Sequence, residues 1–432
     1  MRKRITGVFA ASAAAMLMLA GCGGGSGFSD DGNASAEGGL TNDSSQELTV
    51  LIGSSGDAET AAVEKAVAAW SEETGQKATV SVASDMAQQL SQGFAGGDPA
   101  DVFYLAPEQL AGFASNGSLL AYGDELENKG DFYENLLQTF TYDGKLYAAP
   151  KDVSTLQLFI NTDMWAEAGL TEADIPTTWD QLLEVAKKLT KSDGTQYGIA
   201  LPDLGWGSFL KGNGSGVYTV DGEVSINTPE NKAFLEKMRD FYKGGYTVAG
   251  MDETAARESF ESGQSAMVIV GPWEDQAATD KGIAHDLFPV PAGDGTYVYP
   301  DGTSGSNTGS TGLYWWVTSQ VGDSEKLPGI YEFFKFYNNH DNQVTWSLGS
   351  AYPPNNTTVT EEELSERPLI AKIAQYTDQS FIAVAGLKGG FGDIIATIDT
   401  LTSNTTRTDD DIQTMLDEAE TKIQGYLDEY AE

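Results

Sequence analysis

Leu48-Thr-Val-Leu-Ile-Gly-Ser-Ser-Gly56 is a short apolar, β-branched run that ends in a glycine- and serine-rich turn, the pattern of a buried strand. Val63, Val67 and Trp70 follow at i, i+4 and i+7 on one helical face, and Gly75 ends that helix. Ala78-Thr-Val-Ser-Val82 is a second predicted strand, Asp85 to Gly93 a short helix, and Asp101-Val-Phe-Tyr-Leu105 a third strand. Strands alternating with helices predict a parallel sheet, because parallel neighbours need a long crossover that is usually a helix. The predicted fold class is therefore α/β.

Toward the C-terminus, Tyr147 to Pro150 and Leu156 to Ile160 are predicted strands flanking a break. Thr178-Trp-Asp-Gln181 has the spacing of a capping box opening a helix through Leu182, Val185 and Leu189. Thr228-Pro229 opens another, through Phe234, Met238 and Phe241. Met267 to Val270 is a strand ending in Gly271-Pro272-Trp273, and Leu313 to Val317 a later one. Helices are expected near Glu325–Asn338, Gln343–Ser347, Glu361–Tyr376 and Asp409–Tyr430.

Toward the N-terminus, Arg2-Lys-Arg4 precedes an apolar run from Val8 to Ala20, and Leu19-Ala-Gly-Cys22 closes it. The run is shorter than the roughly 20 residues a bilayer span needs. The first 21 residues are expected to be a signal peptide. Leu-Ala-Gly-Cys resembles a lipobox, in which the cysteine is acylated and becomes the mature N-terminus, so Cys22 is the expected lipid anchor to the bilayer. Loss of three positive charges with that segment takes the formal charge from −39 to −42. Residues 22–47 are Gly-, Ser-, Asn- and Asp-rich and are expected to form a disordered tether, with a reach of roughly 25–30 Å.

The chain has 432 residues, 64 acidic against 25 basic, two histidines and one cysteine. That length suits two or three domains. The acidity argues against nucleic acid, which needs clustered Lys and Arg. One cysteine excludes an intrachain disulfide framework, and His285 with His340 cannot supply a three-histidine zinc site. Glycine-rich nucleotide loops, metalloprotease helices and nucleophile elbows are absent from the sequence. No cofactor and no catalytic residue is expected.

The remaining signal is aromatic. A sugar ring has apolar faces and a rim of hydroxyls, so a carbohydrate site wants flat aromatic platforms and polar side chains at the rim. Trp70, Trp165 and Trp179 lie on helical patterns and read as core or capping residues. In Leu313-Tyr-Trp-Trp-Val317, alternation puts Trp315 and Trp316 on opposite faces, so at least one is packing. Trp206, Trp273 and Tyr352 fall in loop contexts beside glycine or proline and are the candidate platforms.

Seven segments in order carry a resemblance. They are Asp98-Pro-Ala-Asp-Val-Phe-Tyr104, Tyr142-Asp-Gly-Lys-Leu-Tyr-Ala-Ala-Pro150, Leu158-Phe-Ile-Asn161, Pro176-Thr-Thr-Trp-Asp180, Phe260-Glu-Ser-Gly-Gln-Ser-Ala-Met267, Gly271-Pro-Trp273 and Tyr352-Pro-Pro-Asn355. With the lipobox and acidic tether, the chain resembles an extracellular solute-binding protein of the family typified by maltose-binding protein, in a Gram-positive version. The resemblance implies a periplasmic-binding-protein-like fold: two discontinuous α/β lobes joined by a hinge, with a ligand cleft between them. Residues 48–151 and 291–340 would form lobe 1, residues 155–287 and 341–432 lobe 2. Hinge crossings would lie at 152–154 and 288–290, with a third near Asn339–Asp341.

Carried over by position, the cleft would include Ser54, Ser55, Gln88, Gln89, Tyr104, Glu108, Asp152 and Thr155. Trp206, Trp273, Tyr352 and Phe391 would face it from the second lobe, with Asn307 and Ser310 in the glycine-rich loop before Tyr314. Ser154 stands where the family's type member has an acid, and Phe391 where it has a tryptophan, so maltose itself is not implied. The expected protein is a monomer that closes around an oligosaccharide and presents it to the membrane permease subunits of an ABC importer. Two alternatives come from other readings: an extracellular glycosidase, which needs a close carboxylate pair, and a solute-binding protein for a polyamine.

Overall fold

The computed structural model describes residues 46–431 except 55, 107–108, 204–218, 221–222, 292–296, 299–303, 306–313, 376 and 378–386. The first sheet is built from β1 (Leu48–Ile52), β2 (Ala78–Val82), β3 (Val102–Leu105), β4 (Ala149–Pro150) and a late strand, β8 (Tyr314–Val317). Its order is β2-β1-β3-β8-β4. β1 pairs in parallel with β2 and β3, across the helices α1 (Asp57–Thr74) and α2 (Met86–Gly96). The expectation of a purely parallel sheet is corrected at the other side, where β8 runs antiparallel to both β3 and β4. An antiparallel strand can arrive from a distant part of the chain without a helical crossover, and nothing in a local pattern announces it.

Alternation decides which side chain faces which layer. Val102, Tyr104, Trp315 and Val317 enter the core shared with α1 and α8 (Leu327–Tyr337). Phe103, Leu105, Tyr314 and Trp316 enter the core on the opposite face. Trp315 and Trp316 thus lie on opposite faces, and both are packing residues with no exposed surface. Trp70 reaches Phe333 edge-to-face, with ring centroids 5.4 Å apart.

The second sheet is antiparallel: β5 (Gln157–Asn161) lies between β6 (Met267–Val270) and β7 (His285–Pro289). Leu158 and Ile160 face one core, Phe159 the other. The first is covered by α4 (Trp179–Leu189), α5 (Pro229–Lys243), α11 (Phe391–Arg407) and α12 (Ile412–Ala431). Trp165 and Trp179 are buried there. The Thr178 hydroxyl caps α4 by accepting from the Gln181 N–H, but Gln181 returns its bond to Thr177 and not to Thr178.

Two helices start elsewhere than expected. Of the predicted helix Glu361–Tyr376, only α10 (Pro368–Ala374) forms. Proline disfavours helical backbone in the residue before it, and Arg367 is non-helical at φ −128° and ψ 71°, so the helix begins at Pro368. The helix expected at Gln343–Ser347 is longer, α9 (His340–Ser350), with Asn339 as its cap. α9 packs on α1, and its Trp346 joins the first sheet's core. The following segment is tied to the same side by the Phe132–Asn356 bridge and by the Thr357 N–H to Asp131 carbonyl bond. Both facts place residues 340–357 beside the first sheet, whereas the resemblance assigns residues from 341 onward to lobe 2.

Candidate functional site

β4 delivers the chain to Lys151 and Asp152, both buried. The Lys151 Nζ lies 2.6 Å from Glu59 Oε1, donated by the first turn of α1, and pairs also with Asp152. Three rings surround the same ammonium: Tyr104 at 4.5 Å, Trp346 at 4.8 Å and Tyr352 at 5.3 Å from their centroids. Burial alone pushes the Lys151 ammonium toward losing its proton, but Asp152 and Glu59 outweigh that and hold its pKa above the usual lysine value. Burial, reinforced by Glu59 and Asp152, drives the phenols of Tyr104 and Tyr337 well above the ordinary tyrosine range. Among the described residues neither phenol has a hydrogen-bond partner. Asn355 fixes the backbone here, its amide donating to the Pro150 carbonyl at 2.8 Å and the Lys151 carbonyl at 3.2 Å.

Trp273 approaches this cluster from the second sheet. β6 ends at Val270, Gly271-Pro272 turn the chain, and Trp273 is the first residue of α7 (Trp273–Asp280). The expectation of a loop position is therefore corrected: a proline just before the first helical residue starts a helix. The indole is half-buried and packs against cores on both sides, that of the first sheet and that around Phe159. Its centroid lies 6.2 Å from Tyr352, which lies 6.1 Å from Trp346. A row of rings thus runs from the second sheet to the Lys151 cluster, with Asp152 and Glu59 supplying carboxylates at its inner end.

Beside Trp273, Glu274 has no exposed side chain. Burial pushes its carboxyl up to about 7, against the lowering pull of Arg257, whose Nε donates to it at 2.8 Å. The native state therefore holds a proton that the unfolded chain releases between about pH 4.5 and about pH 7, and stability falls as pH rises through that window. Substitution Glu274→Gln removes this slope. Relative to the parent protein, the variant is expected to gain roughly 3 kcal/mol on going from below to above the window. Urea midpoints of both proteins at the two pH values check this; a pH-independent difference would refute it.

The structure brings Tyr104, Asp152, Tyr352 and Trp273 of the expected site together. Tyr352 keeps its loop position but is buried, not exposed. Thr155 is buried and accepts from the Gln157 amide at 2.7 Å. Ser54 is absorbed in the start of α1: its hydroxyl donates to the Gly56 carbonyl at 2.7 Å and bonds Thr60 Oγ1 at 2.7 Å. Gln88 and Gln89 lie in the first turn of α2, Gln88 exposed and Gln89 half-buried. Phe391 opens α11 and packs on the second sheet's core, where it lines a separate groove of about 280 Å³ with α3 (Leu110–Ser115). Cys22, Ser55, Glu108, Trp206, Asn307 and Ser310 lie outside the described residues.

Sequence reasoning missed Glu59, Lys151, Trp346 and Asn355 as members of this site. Lys151 carried one readable signal, a lone lysine between Pro150 and Asp152 in an otherwise apolar stretch. Glu59 carried none, since an acid in a first helical turn is ordinary. Among the described residues no group of three metal-binding side chains converges, and no helix is long and apolar enough to cross a membrane.

Comparison with known proteins adds the following. The family described as bacterial extracellular solute-binding protein matches residues 53–344. The putative ABC transporter periplasmic-binding protein YcjN of Escherichia coli is 25% identical over 329 residues, 70% of this chain and 73% of that one. The sn-glycerol-3-phosphate-binding periplasmic protein UgpB of Brucella melitensis is 26% identical over 266 residues, 58% of this chain and 60% of that one. The ABC substrate-binding protein Lmo0181 of Listeria monocytogenes, solved in complex with cycloalternan, superposes with a TM-score of 0.71 at 20% identity. It covers 88% of this chain and 99% of its own, a likeness of fold.

Proposed function

The chain belongs to the bacterial extracellular solute-binding proteins, and on that premise we propose that it captures an oligosaccharide between two lobes and passes it unaltered to the permease of an ABC importer. The observation that carries the reading is the row Trp273, Tyr352 and Trp346, which bridges the two sheets and ends at buried carboxylates. Trp273, the half-exposed end of the row, offers a flat face to the apolar side of a sugar ring, and the buried rings and charge cluster behind it hold that platform in place. A ligand touching both sides favours the closed arrangement because only that arrangement makes both sets of contacts.

In this proposal residues 48–151 and 291 to about 358 form one lobe, and residues 155–287 and about 359–431 the other. The first crossing at 152–154 sits beside the Lys151 cluster, and residues 288–290 form the second. Acylation of Cys22 would hold the protein at the outer membrane face, each buried lipid CH₂ contributing about 0.8 kcal/mol.

Relatives named for glycerol 3-phosphate make a phosphate ligand the nearest rival. A phosphate needs an available cation, and among the described residues the cation at this site, Lys151, is already held by two carboxylates. The test is a thermal-shift panel of di- to tetrasaccharides with sn-glycerol 3-phosphate and spermidine alongside, because a ligand that binds only the native state raises the melting temperature. The expected result is a saturable shift from at least one sugar. A shift from the phosphate or the polyamine with none from any sugar would overturn the proposal.

A further inference from the structure

Trp273 and its neighbour Glu274 are held from three directions, and two of the holds come from one helix, α6 (Glu253–Glu261). Its first residue, Glu253, accepts the Trp273 indole N–H at 3.2 Å. One turn later Arg257 donates to Glu274 Oε2 at 2.8 Å. Positions i and i+4 on one helix face thus grip two consecutive residues of α7. The third hold is Gly271: a Cβ there would come within 2.2 Å of the indole ring, so the ring lies directly on the glycine backbone. A platform residue needs such fixing, since rotamer freedom lost on binding subtracts from affinity.

We propose that α6 sets the orientation of Trp273, with Glu253 and the Arg257–Glu274 pair as positioning residues, and that proton uptake by Glu274 loosens the grip. This rests on the reading of Trp273 as a sugar platform. The proton has a defined destination. Glu274 Oε1 is buried and has no hydrogen-bond partner among the described residues, while Oε2 is committed to Arg257. An ionised oxygen left without a donor in an apolar setting is costly, and a proton there removes the cost. The same proton cancels the charge that makes the Arg257 bond strong.

The charged surroundings of Glu274 are few. On α6, Glu261 shares Arg257 at 3.7 Å, and Lys281, just after α7, pairs with Glu261. On β7, His285 feels the Glu274 carboxylate and holds Asp275 at 3.1 Å, while Arg367 reaches Asp275 at 3.5 Å. His285 therefore already has its own carboxylate, and among the described residues Arg257 is the cation bonded to Glu274. With the carboxyl pushed up by burial, the change of state falls near neutral pH.

The test uses the protein labelled with 5-fluorotryptophan, the Trp273 fluorine signal being assigned by its loss in Trp273→Phe. From about pH 5.5 to about pH 8.5, that signal is expected to move with a midpoint near neutrality in the parent protein and to lose the midpoint in Glu274→Gln. Glu253→Gln is expected to displace the signal at every pH yet keep the midpoint. An unmoving Trp273 signal in the parent, or an unchanged midpoint in Glu274→Gln, would overturn the proposal. Affinity of Trp273→Ala for the sugar that shifts the parent's melting temperature most in the di- to tetrasaccharide panel provides a separate readout. If it equals the parent's, the platform reading fails, whatever the fluorine titration reports about the grip.

Discussion

Replacement of Lys151 by methionine is expected to cost about 3–5 kcal/mol of stability, enough to unfold a protein of ordinary margin. The size follows from what stays behind. Glu59 and Asp152 are buried, and Lys151 is the cation that both of them hold. Methionine fills much of the lysine's volume but takes away the charge that two buried carboxylates both hold. It also removes the ammonium from the faces of Tyr104, Trp346 and Tyr352, contacts that stabilise most when desolvated. The triple variant Lys151→Met, Glu59→Gln, Asp152→Asn should recover most of the loss, because replacing a whole buried charge group by neutral residues is far milder than orphaning one member. Urea unfolding of the three proteins separates these outcomes. A single variant within about 1 kcal/mol of the parent would show that the pair is not desolvated in solution.

Substitution Trp273→Ala is expected to weaken binding of the tightest sugar in the panel by about 2 kcal/mol, or about thirtyfold in dissociation constant. A platform gives its energy through a flat face that alanine cannot supply. The apo protein should also lose stability, about 1–3 kcal/mol, since the indole packs against two cores and its N–H is bonded to Glu253. Trp273→Phe separates the two effects. It keeps a ring in the gap above Gly271, so it should restore much of the stability while recovering affinity only in part. Isothermal titration calorimetry with thermal melts reads both quantities. Alanine binding the sugar within twofold of the parent would place Trp273 outside the ligand contact.

Much of the fold was legible because its signals are local. Alternation in β8 told that Trp315 and Trp316 lie on opposite faces, and Gly75 and Asp85 marked helix ends that the structure shows as a left-handed cap and a side-chain cap. The missed features were non-local. The antiparallel entry of β8 joins residues more than 200 positions from β3. The late start of the helix expected from Glu361 was readable in Pro368, and only its weight was misjudged.

By itself the sequence determined the α/β class, the strand faces, the caps and the order of motifs that marks the family. Each depends on neighbours within a turn or a pleat, whose geometry is the same in any protein. Only the tertiary structure decided that Lys151 meets a carboxylate 92 residues away and that Trp273 lies on Gly271 beneath a grip from α6. Charge pairing and desolvation depend on what surrounds a group in space, and that is set when distant segments pack.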